Sequence, residues 1–111
     1  MIIKCKKIRD TEKSTCTAEQ KIAYNFALRY ADLGKKILKE NAFEIIKANA
    51  FSDIAKIVLH DIEANKEMKK YNLDAIMIAF RNGFRTYCEK PFIALNYESI
   101  GNCFKIPYKI A

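Results

Sequence analysis

Residues that interrupt helices or build phosphate-binding loops are scarce in this chain. Its 111 residues include three Gly and two Pro, a composition that favours a folded, helix-rich domain over a loop-rich or disordered one. Gly34, Gly83 and Gly101 are isolated from one another. None of them has the strand-turn-helix context of a glycine-rich phosphate loop, so nucleotide hydrolysis is disfavoured.

Cysteines are few and widely spaced. Cys5, Cys16, Cys88 and Cys103 never form close pairs, which zinc sites and redox motifs need because two thiols must lie near each other. We therefore expect free thiols, with a bridge between Cys5 and Cys103 as the alternative if the two termini pair. Cys88 lies on the apolar side of a predicted helix, which is typical of a packed thiol rather than a nucleophile.

A single histidine limits the chemistry further. His60 and Glu63 are three residues apart, so on a helix they share one side and form at most half of a metal or catalytic site. No nucleophile accompanies the histidine, and the neighbouring Asp61 reads as a solvated acid. The sequence therefore predicts no cofactor and no enzymatic activity. An enzyme built around His60 or Cys88 is the weakest alternative.

Long apolar runs are also missing. The longest, Ala75 to Phe80, is far shorter than the roughly 20 residues that a membrane-spanning helix needs. Charged residues interrupt the N-terminal stretch in which a signal peptide would be apolar. At this length one hydrophobic core is the default. We expect a single basic helical domain over residues 1–111 that is soluble and cytoplasmic, with no membrane partner.

Positive charge is what the chain has in excess. It carries 20 Lys and Arg against 13 Asp and Glu, a formal net charge of +7. Such an excess favours an anionic partner such as nucleic acid, because Lys and Arg bind phosphate irrespective of base sequence. Lys, Ile and Asn are abundant, as in AT-rich genes, so a solvated basic surface without a ligand is the alternative.

The first strong helix signal follows a polar segment. Thr17 and Gln20 are spaced as a capping box, in which each side chain bonds the backbone N–H of the other residue. A helix is therefore predicted from Ala18 to about Glu40. Its predicted buried stripe steps by three or four residues and consists of Ile22, Phe26, Tyr30, Leu33 and Ile37, widened by Ala23, Ala27 and Leu38.

The middle of the chain is predicted to contain two helices. A break at Asn41–Ala42 precedes a short helix over residues 43–50. Ser52 and Asp53 then give a second capping signal, which predicts an amphipathic helix that runs to about Lys70.

A further helix is predicted after this region. Asn72 or Asp74 opens it, and it ends before Pro91 because the residue that precedes proline disfavours helical backbone angles. It has the most apolar sequence of the predicted helices, so we expect it to lie at the centre of the fold.

The two ends of the chain alternate between apolar and polar residues, as strands do. Residues 1–9 and 104–110 have this pattern, Pro107 confines the second strand to a sheet edge, and residues 99–102 resemble a turn. The predicted fold is mainly α, with three to four helices packed with a small β-sheet formed by the N- and C-terminal segments. An α+β fold is the alternative.

Several basic residues are candidates for ligand contacts. Arg81 and Arg85 are four residues apart and share one helical face, where forked guanidinium groups can bind phosphate or carboxylate. The alternative is that they flank the core and pair with Asp74 and Glu89. The residues predicted to bind nucleic acid or a partner protein are Lys4, Lys6, Lys7, Arg9, Lys66, Lys69, Lys70, Arg81, Arg85 and Lys90.

These features predict a non-enzymatic basic protein that engages RNA or DNA, or a protein machine that handles nucleic acid. A modulator encoded by a phage or mobile element, such as an anti-CRISPR-like inhibitor, fits this general character. The alternative is a structural or assembly protein that forms an obligate helical oligomer. In that case the apolar residues that include Phe43, Phe51, Phe92 and Tyr97 are buried against a second copy or a partner.

Overall fold

The computed structural model describes residues 16–90 and 97–106, and nearly all of them are helical. The mainly helical class predicted from the sequence is therefore confirmed. The elements, in chain order, are α1 (Ala18–Glu40), α2 (Glu44–Glu63), a short 3₁₀ helix (Lys66–Lys70), α3 (Leu73–Glu89) and α4 (Tyr97–Cys103).

Helix α1 begins and ends where the sequence predicts. The Thr17 N–H donates to Gln20 Oε1 at 2.7 Å, and the Gln20 N–H donates to Thr17 Oγ1 at 3.2 Å. This capping box satisfies backbone donors that have no partner within the first turn. At the other end Asn41 has extended backbone angles, and its side chain donates to the Ile37 carbonyl at 2.9 Å.

The contact between α1 and α3 is the centre of the core. Four small residues of α1, which are Ala23, Ala27, Ala31 and Gly34, are buried in this contact. A Cβ atom added to Gly34 would lie 2.3 Å from Cys88 Sγ. The absence of larger side chains on this face of α1 therefore allows the two helices to approach closely.

The predicted stripe of α1 is displaced from its true buried face. Phe26 is buried, but Ile22, Tyr30 and Ile37 are half-buried and Leu33 is 43 % exposed. The prediction for Leu33 is wrong because the tightest contact of α1 requires small side chains. The larger residues therefore occupy the edge of that contact.

Helix α2 is continuous through the point at which the sequence predicts a new start. The Lys47 N–H already donates to the Phe43 carbonyl at 3.2 Å, so Ser52 and Asp53 lie inside the helix rather than at its N-terminus. Both are exposed, and Asp53 forms an ion pair with Lys56 at 3.8 Å. The predicted cap at Ser52 is therefore wrong.

The predicted end of this helix at Lys70 is wrong as well. Helix α2 ends at Glu63, and the Ala64 N–H donates to the His60 carbonyl at 3.0 Å. The Asn65 side chain then accepts from the Glu67 N–H at 2.9 Å and caps the 3₁₀ helix. A short side chain that bonds the nearby backbone in this way favours a new start over continuation.

Helix α3 confirms the prediction for the most apolar segment. The Asn72 side chain accepts from the Ala75 N–H at 3.1 Å, and the Lys90 N–H donates to the Thr86 carbonyl at 2.9 Å where the helix ends. Phe80 and Ile76 are almost completely buried. Helix α3 contacts α1, α2 and α4, and α1 likewise contacts the other three helices, so the two helices share the centre of the described fold.

Helix α4 replaces the predicted turn over residues 99–102. The Gln20 side-chain amide donates to the Phe104 carbonyl at 2.9 Å and to the Gly101 carbonyl at 3.3 Å, so it binds the end of α4 to the start of α1. Phe104 is fully buried, and its ring lies where a side chain on Gly83 would otherwise be. A turn would leave those carbonyls without this buried donor.

The predicted small sheet is not supported. The described residues contain no strand, and residues 104–106 follow α4 without strand structure because Phe104 is held by its backbone bond to Ile100 at 2.8 Å. The predicted strand over residues 1–9, and the part of the second strand from residue 107 onward, lie outside the described residues.

Candidate functional site

The first half of α2 is apolar yet poorly covered. The buried residues of this helix begin at Ile54, whereas Phe43 is 68 %, Ile45 is 71 % and Ile46 is 46 % exposed. We refer to Phe43, Ile45 and Ile46 as the α2 apolar end; they point to different sides of the helix, because residues one or two positions apart do not share a face. Scattered single apolar residues are ordinary on a surface, whereas a cluster at one helix end makes this end a candidate for an interaction site.

A cleft opens between α2 and α3, on the side of α2 that is nearer to Ile45 than to Ile46. Its volume is about 200 Å³. The Phe51 ring packs edge-on against Phe84 at a centroid distance of 5.5 Å, and Phe80 stacks on Phe84 at 4.6 Å. The cleft is lined by Ala48, Phe51, Ser52, Ala55, Phe80, Phe84, Arg81 and Arg85. It therefore combines the half-buried ring of Phe51, packed on buried Phe84, with two guanidinium groups.

Arg85 is committed to contacts within the fold. It donates to the Glu44 carboxylate, lies 3.8 Å from Glu89 Oε2, and its guanidinium carbon is 5.6 Å from the centre of the Phe51 ring. The hydrogen bond between Arg85 and Glu44 lowers the pKa of Glu44 and raises the pKa of Arg85. The expected pairing with Glu89 is present, and Glu44 is a partner that the sequence did not indicate.

Arg81 differs from Arg85 although the two share one side of α3. It is exposed, and among the described residues it has no hydrogen bond or ion pair. Its predicted alternative partner, Asp74, does not pair with it. The cleft thus has one guanidinium that is neutralised by carboxylates and one that no carboxylate of residues 16–90 or 97–106 neutralises.

The other predicted binding residues lie at two ends of the fold. Lys66, Lys69 and Lys70 are exposed on the 3₁₀ helix that precedes α3, and Lys90 is exposed where α3 ends. A helix of this length separates those ends by about 25 Å. One ligand would have to extend along all of α3 to contact both groups. A single basic surface that includes all four lysines therefore stays a prediction.

Much of the positive charge lies elsewhere in the chain. The described residues include fourteen Lys and Arg against eleven Asp and Glu, so more than half of the net charge of +7 belongs to the remaining residues. The predicted basic residues Lys4, Lys6, Lys7 and Arg9 are among the residues outside the described ranges. The helices themselves therefore carry only a modest positive charge.

The residues considered for catalysis do not come together. His60 is exposed, and Asp61 accepts a hydrogen bond from the Tyr30 hydroxyl that joins α1 to α2. Within the described ranges, no three His, Cys, Asp or Glu side chains are grouped closely enough to hold a metal ion. Burial raises the pKa of Cys88 to about 12, which keeps its thiol protonated and unreactive near neutral pH.

Sequence reasoning missed the cleft, although one signal was available. Ile45 lies nine residues before Ile54, which is two and a half turns of a helix and therefore the opposite side. Once α2 is recognised as one helix, Ile45 and Ile54 cannot both face the same core. The erroneous break at Ser52 concealed this conflict.

No protein-family model, no curated protein and no solved structure matches this chain. Among the described helices, none combines the length and the apolar character that a bilayer crossing requires.

Proposed function

We propose that this protein is a non-enzymatic binding protein that docks to another protein through the α2 apolar end and the adjacent cleft. The carrying observation is the exposure of Phe43, Ile45 and Ile46 at one end of a helix whose other half has a buried side. Removing apolar surface from water is the main driving force of protein association, at roughly 25 cal/mol per Å². An apolar helix end that is uncovered in the monomer supplies such surface.

The basic character of the chain extends this proposal to the kind of partner. A protein machine that handles nucleic acid can present an acidic groove or the phosphates of its bound nucleic acid, and a small protein with an excess of positive charge is attracted to either. A modulator or anti-CRISPR-like inhibitor from a phage or mobile element would act in this way. An obligate oligomer would instead cover the same apolar residues with a second copy.

Direct binding to RNA or DNA is the second candidate function. It is favoured by the exposed Lys66, Lys69 and Lys70 on one short 3₁₀ helix, because neighbouring cations release counterions when they contact phosphates. The aromatic residues Phe80 and Phe84, at 1 % and 2 % exposure, are core residues and provide no stacking surface for bases. Affinity for nucleic acid would therefore come from charge alone.

A tagged pull-down from native host lysate tests these two candidates. Half of each sample is treated with nuclease, and the bound proteins and nucleic acids are identified. We expect a specific protein to be retained by the wild-type chain after nuclease treatment and to be lost with the Ile45→Ser/Ile46→Ser double variant. The variant removes apolar surface without changing charge, and both residues are exposed, so the fold should persist.

Leu28 provides the matched control. It is 46 % exposed, as Ile46 is, but it lies about 160° round α1 from Tyr30, whose hydroxyl contacts α2. Leu28→Ser should therefore retain the partner. Equal capture by the double variant and the wild-type chain would contradict the proposal. Loss of all captured material on nuclease treatment would favour nucleic acid, and a Lys66→Glu/Lys69→Glu variant should then lose it.

A further inference from the structure

The cleft between α2 and α3 has room for one side chain of a partner. Its volume of about 200 Å³ exceeds the roughly 150 Å³ of an apolar cavity that admits a benzene ring. It is smaller than the roughly 300 Å³ at which sites for drug-sized ligands begin. A single Leu, Ile, Met or Phe side chain fits it better than a cofactor or a nucleotide does.

The surroundings of the cleft favour a partner that lies along α2. Ile45, Ala48 and Ser52 are spaced by three and four residues, so they form one row along the same side of the helix. Ala48 and Ser52 line the cleft, and Ile45 continues the row beyond it. Small side chains at the cleft and a large exposed one next to it form a short apolar groove, as in recognition of amphipathic helices.

Charge gives this groove a preference. Glu44 and Glu89 neutralise Arg85, whereas Arg81 at the same cleft is exposed and has no carboxylate partner among the described residues. A guanidinium group binds a carboxylate through two parallel hydrogen bonds. A carboxylate next to an apolar side chain would therefore complement the cleft, whereas a Lys or Arg at that place would be repelled.

We infer that the cleft between α2 and α3 binds an amphipathic segment of a partner protein in which an Asp or Glu accompanies an apolar anchor residue. The anchor enters the cleft beside the Phe51 ring, and the carboxylate bonds to Arg81. This inference rests on the proposed docking function and adds the chemistry of the segment that is recognised.

A peptide library provides a probe of defined composition. The full-length protein is used to select from phage-displayed random 16-residue peptides, and the enriched peptides are synthesised with a fluorescent label. We expect enriched sequences to carry Asp or Glu within four residues of Leu, Ile, Met or Phe. Enrichment of apolar sequences without an acidic residue would overturn the inference, as would the failure of any sequence to be enriched.

Variants of Arg81 then test the contact itself by fluorescence anisotropy. Arg81→Glu should weaken binding of the best peptide about tenfold or more, because a charge-assisted hydrogen bond is replaced by repulsion. Lys66→Glu, the same change of charge at an exposed residue far from the cleft, should change binding less than twofold. Equal weakening by both variants would mean that only net charge matters, and would overturn the inference.

A charge-reversed peptide distinguishes loss of the Arg81 contact from misfolding of the Arg81→Glu variant. When the acidic residue of the peptide is replaced by Lys, it should bind Arg81→Glu more tightly than it binds the wild-type protein. Such recovery requires a folded cleft, so absence of recovery with an unchanged circular dichroism spectrum would contradict the proposed contact.

The remaining outcomes separate this inference from the proposed function. Loss of the host partner with Ile45→Ser/Ile46→Ser but not with Arg81→Glu would keep protein docking and reject the acidic segment. A stable dimer, measured by light scattering and dissociated by Ile45→Ser/Ile46→Ser, would show that a second copy covers the α2 apolar end and would overturn the inference. If Arg81→Glu abolishes RNA binding but leaves peptide binding unchanged, the inference is also overturned.

Discussion

Replacing Gly34 by alanine would test the close packing of α1 against α3. Alanine in place of glycine inside a helix ordinarily stabilises the fold by about 1 kcal/mol, because it reduces the freedom of the unfolded chain. Gly34 has no positive φ angle, so its backbone can accept alanine. Any loss of stability must then come from tertiary contacts.

The structure predicts that the ordinary effect is reversed. The new Cβ would lie 2.3 Å from Cys88 Sγ and 2.9 Å from Phe84 Cζ. Non-bonded atoms of this kind attract each other only at separations of about 3.5 Å or more. The two helices would have to separate, or both side chains would have to move in a closely packed core. Overpacking costs about 1–3 kcal/mol, and contacts this short belong to the upper part of that range, about 2–3 kcal/mol. After the helix gain of about 1 kcal/mol, we therefore expect Gly34→Ala to be less stable than the wild type by about 1–2 kcal/mol.

Urea unfolding followed by circular dichroism measures this difference, and Cys88→Ala identifies its cause. Removing the sulfur relieves the closest contact, so Gly34→Ala should cost less in the Cys88→Ala background. The coupling energy should be at least about 0.5 kcal/mol, as for residues in direct contact. A Gly34→Ala protein as stable as the wild type would refute the packing described here, and so would a coupling energy of zero.

Two further predictions concern buried polar groups. Gln20→Glu keeps an acceptor for the Thr17 N–H but has no amide to donate to the Phe104 and Gly101 carbonyls. It should therefore lower the free energy of unfolding by about 1–3 kcal/mol and by more than Gln20→Ala, and the reverse order in urea titrations would contradict this role. The Cys88 thiol should resist iodoacetamide near neutral pH until the chain is unfolded, because burial raises its pKa to about 12. Since the pKa of this thiol is higher in the folded state, the stability contributed by the protonated thiol is complete below the ordinary thiol pKa and is lost as the pH rises towards 12. Rapid alkylation of Cys88 in the native protein, measured by mass spectrometry, would show that the thiol is accessible and would contradict its burial.

The parts of the fold that the sequence predicted correctly depend on short-range signals. Thr17 and Gln20 are three residues apart, and Asn72 caps a donor three residues further along the chain. Capping of this kind is decided within one turn of helix. The ends of α1 and α3 were therefore predictable. The cap predicted at Ser52 is wrong because Ser52 lies inside a helix that begins at Glu44.

The candidate site was predicted only in part. Arg81 and Arg85 were recognised as neighbours on one helical face, since a spacing of four residues suffices for that conclusion. Their different roles depend on Glu44, which lies 41 positions from Arg85 in sequence. No pattern of nearby residues can indicate which of two equivalent arginines a distant carboxylate will pair with.

By itself the sequence determined that this is a mainly helical protein, with an excess of positive charge and without a nucleotide or zinc motif, because composition and periodicity decide those properties locally. The tertiary structure alone decided which side of each helix is covered. Close approach of α1 and α3 requires Gly34 and leaves Leu33 at the edge, and the position of α2 leaves Ile45 exposed and places Arg81 at the cleft. Contacts between helices select among faces that the sequence makes almost equally apolar, which is why the proposed docking surface emerges only from the folded molecule.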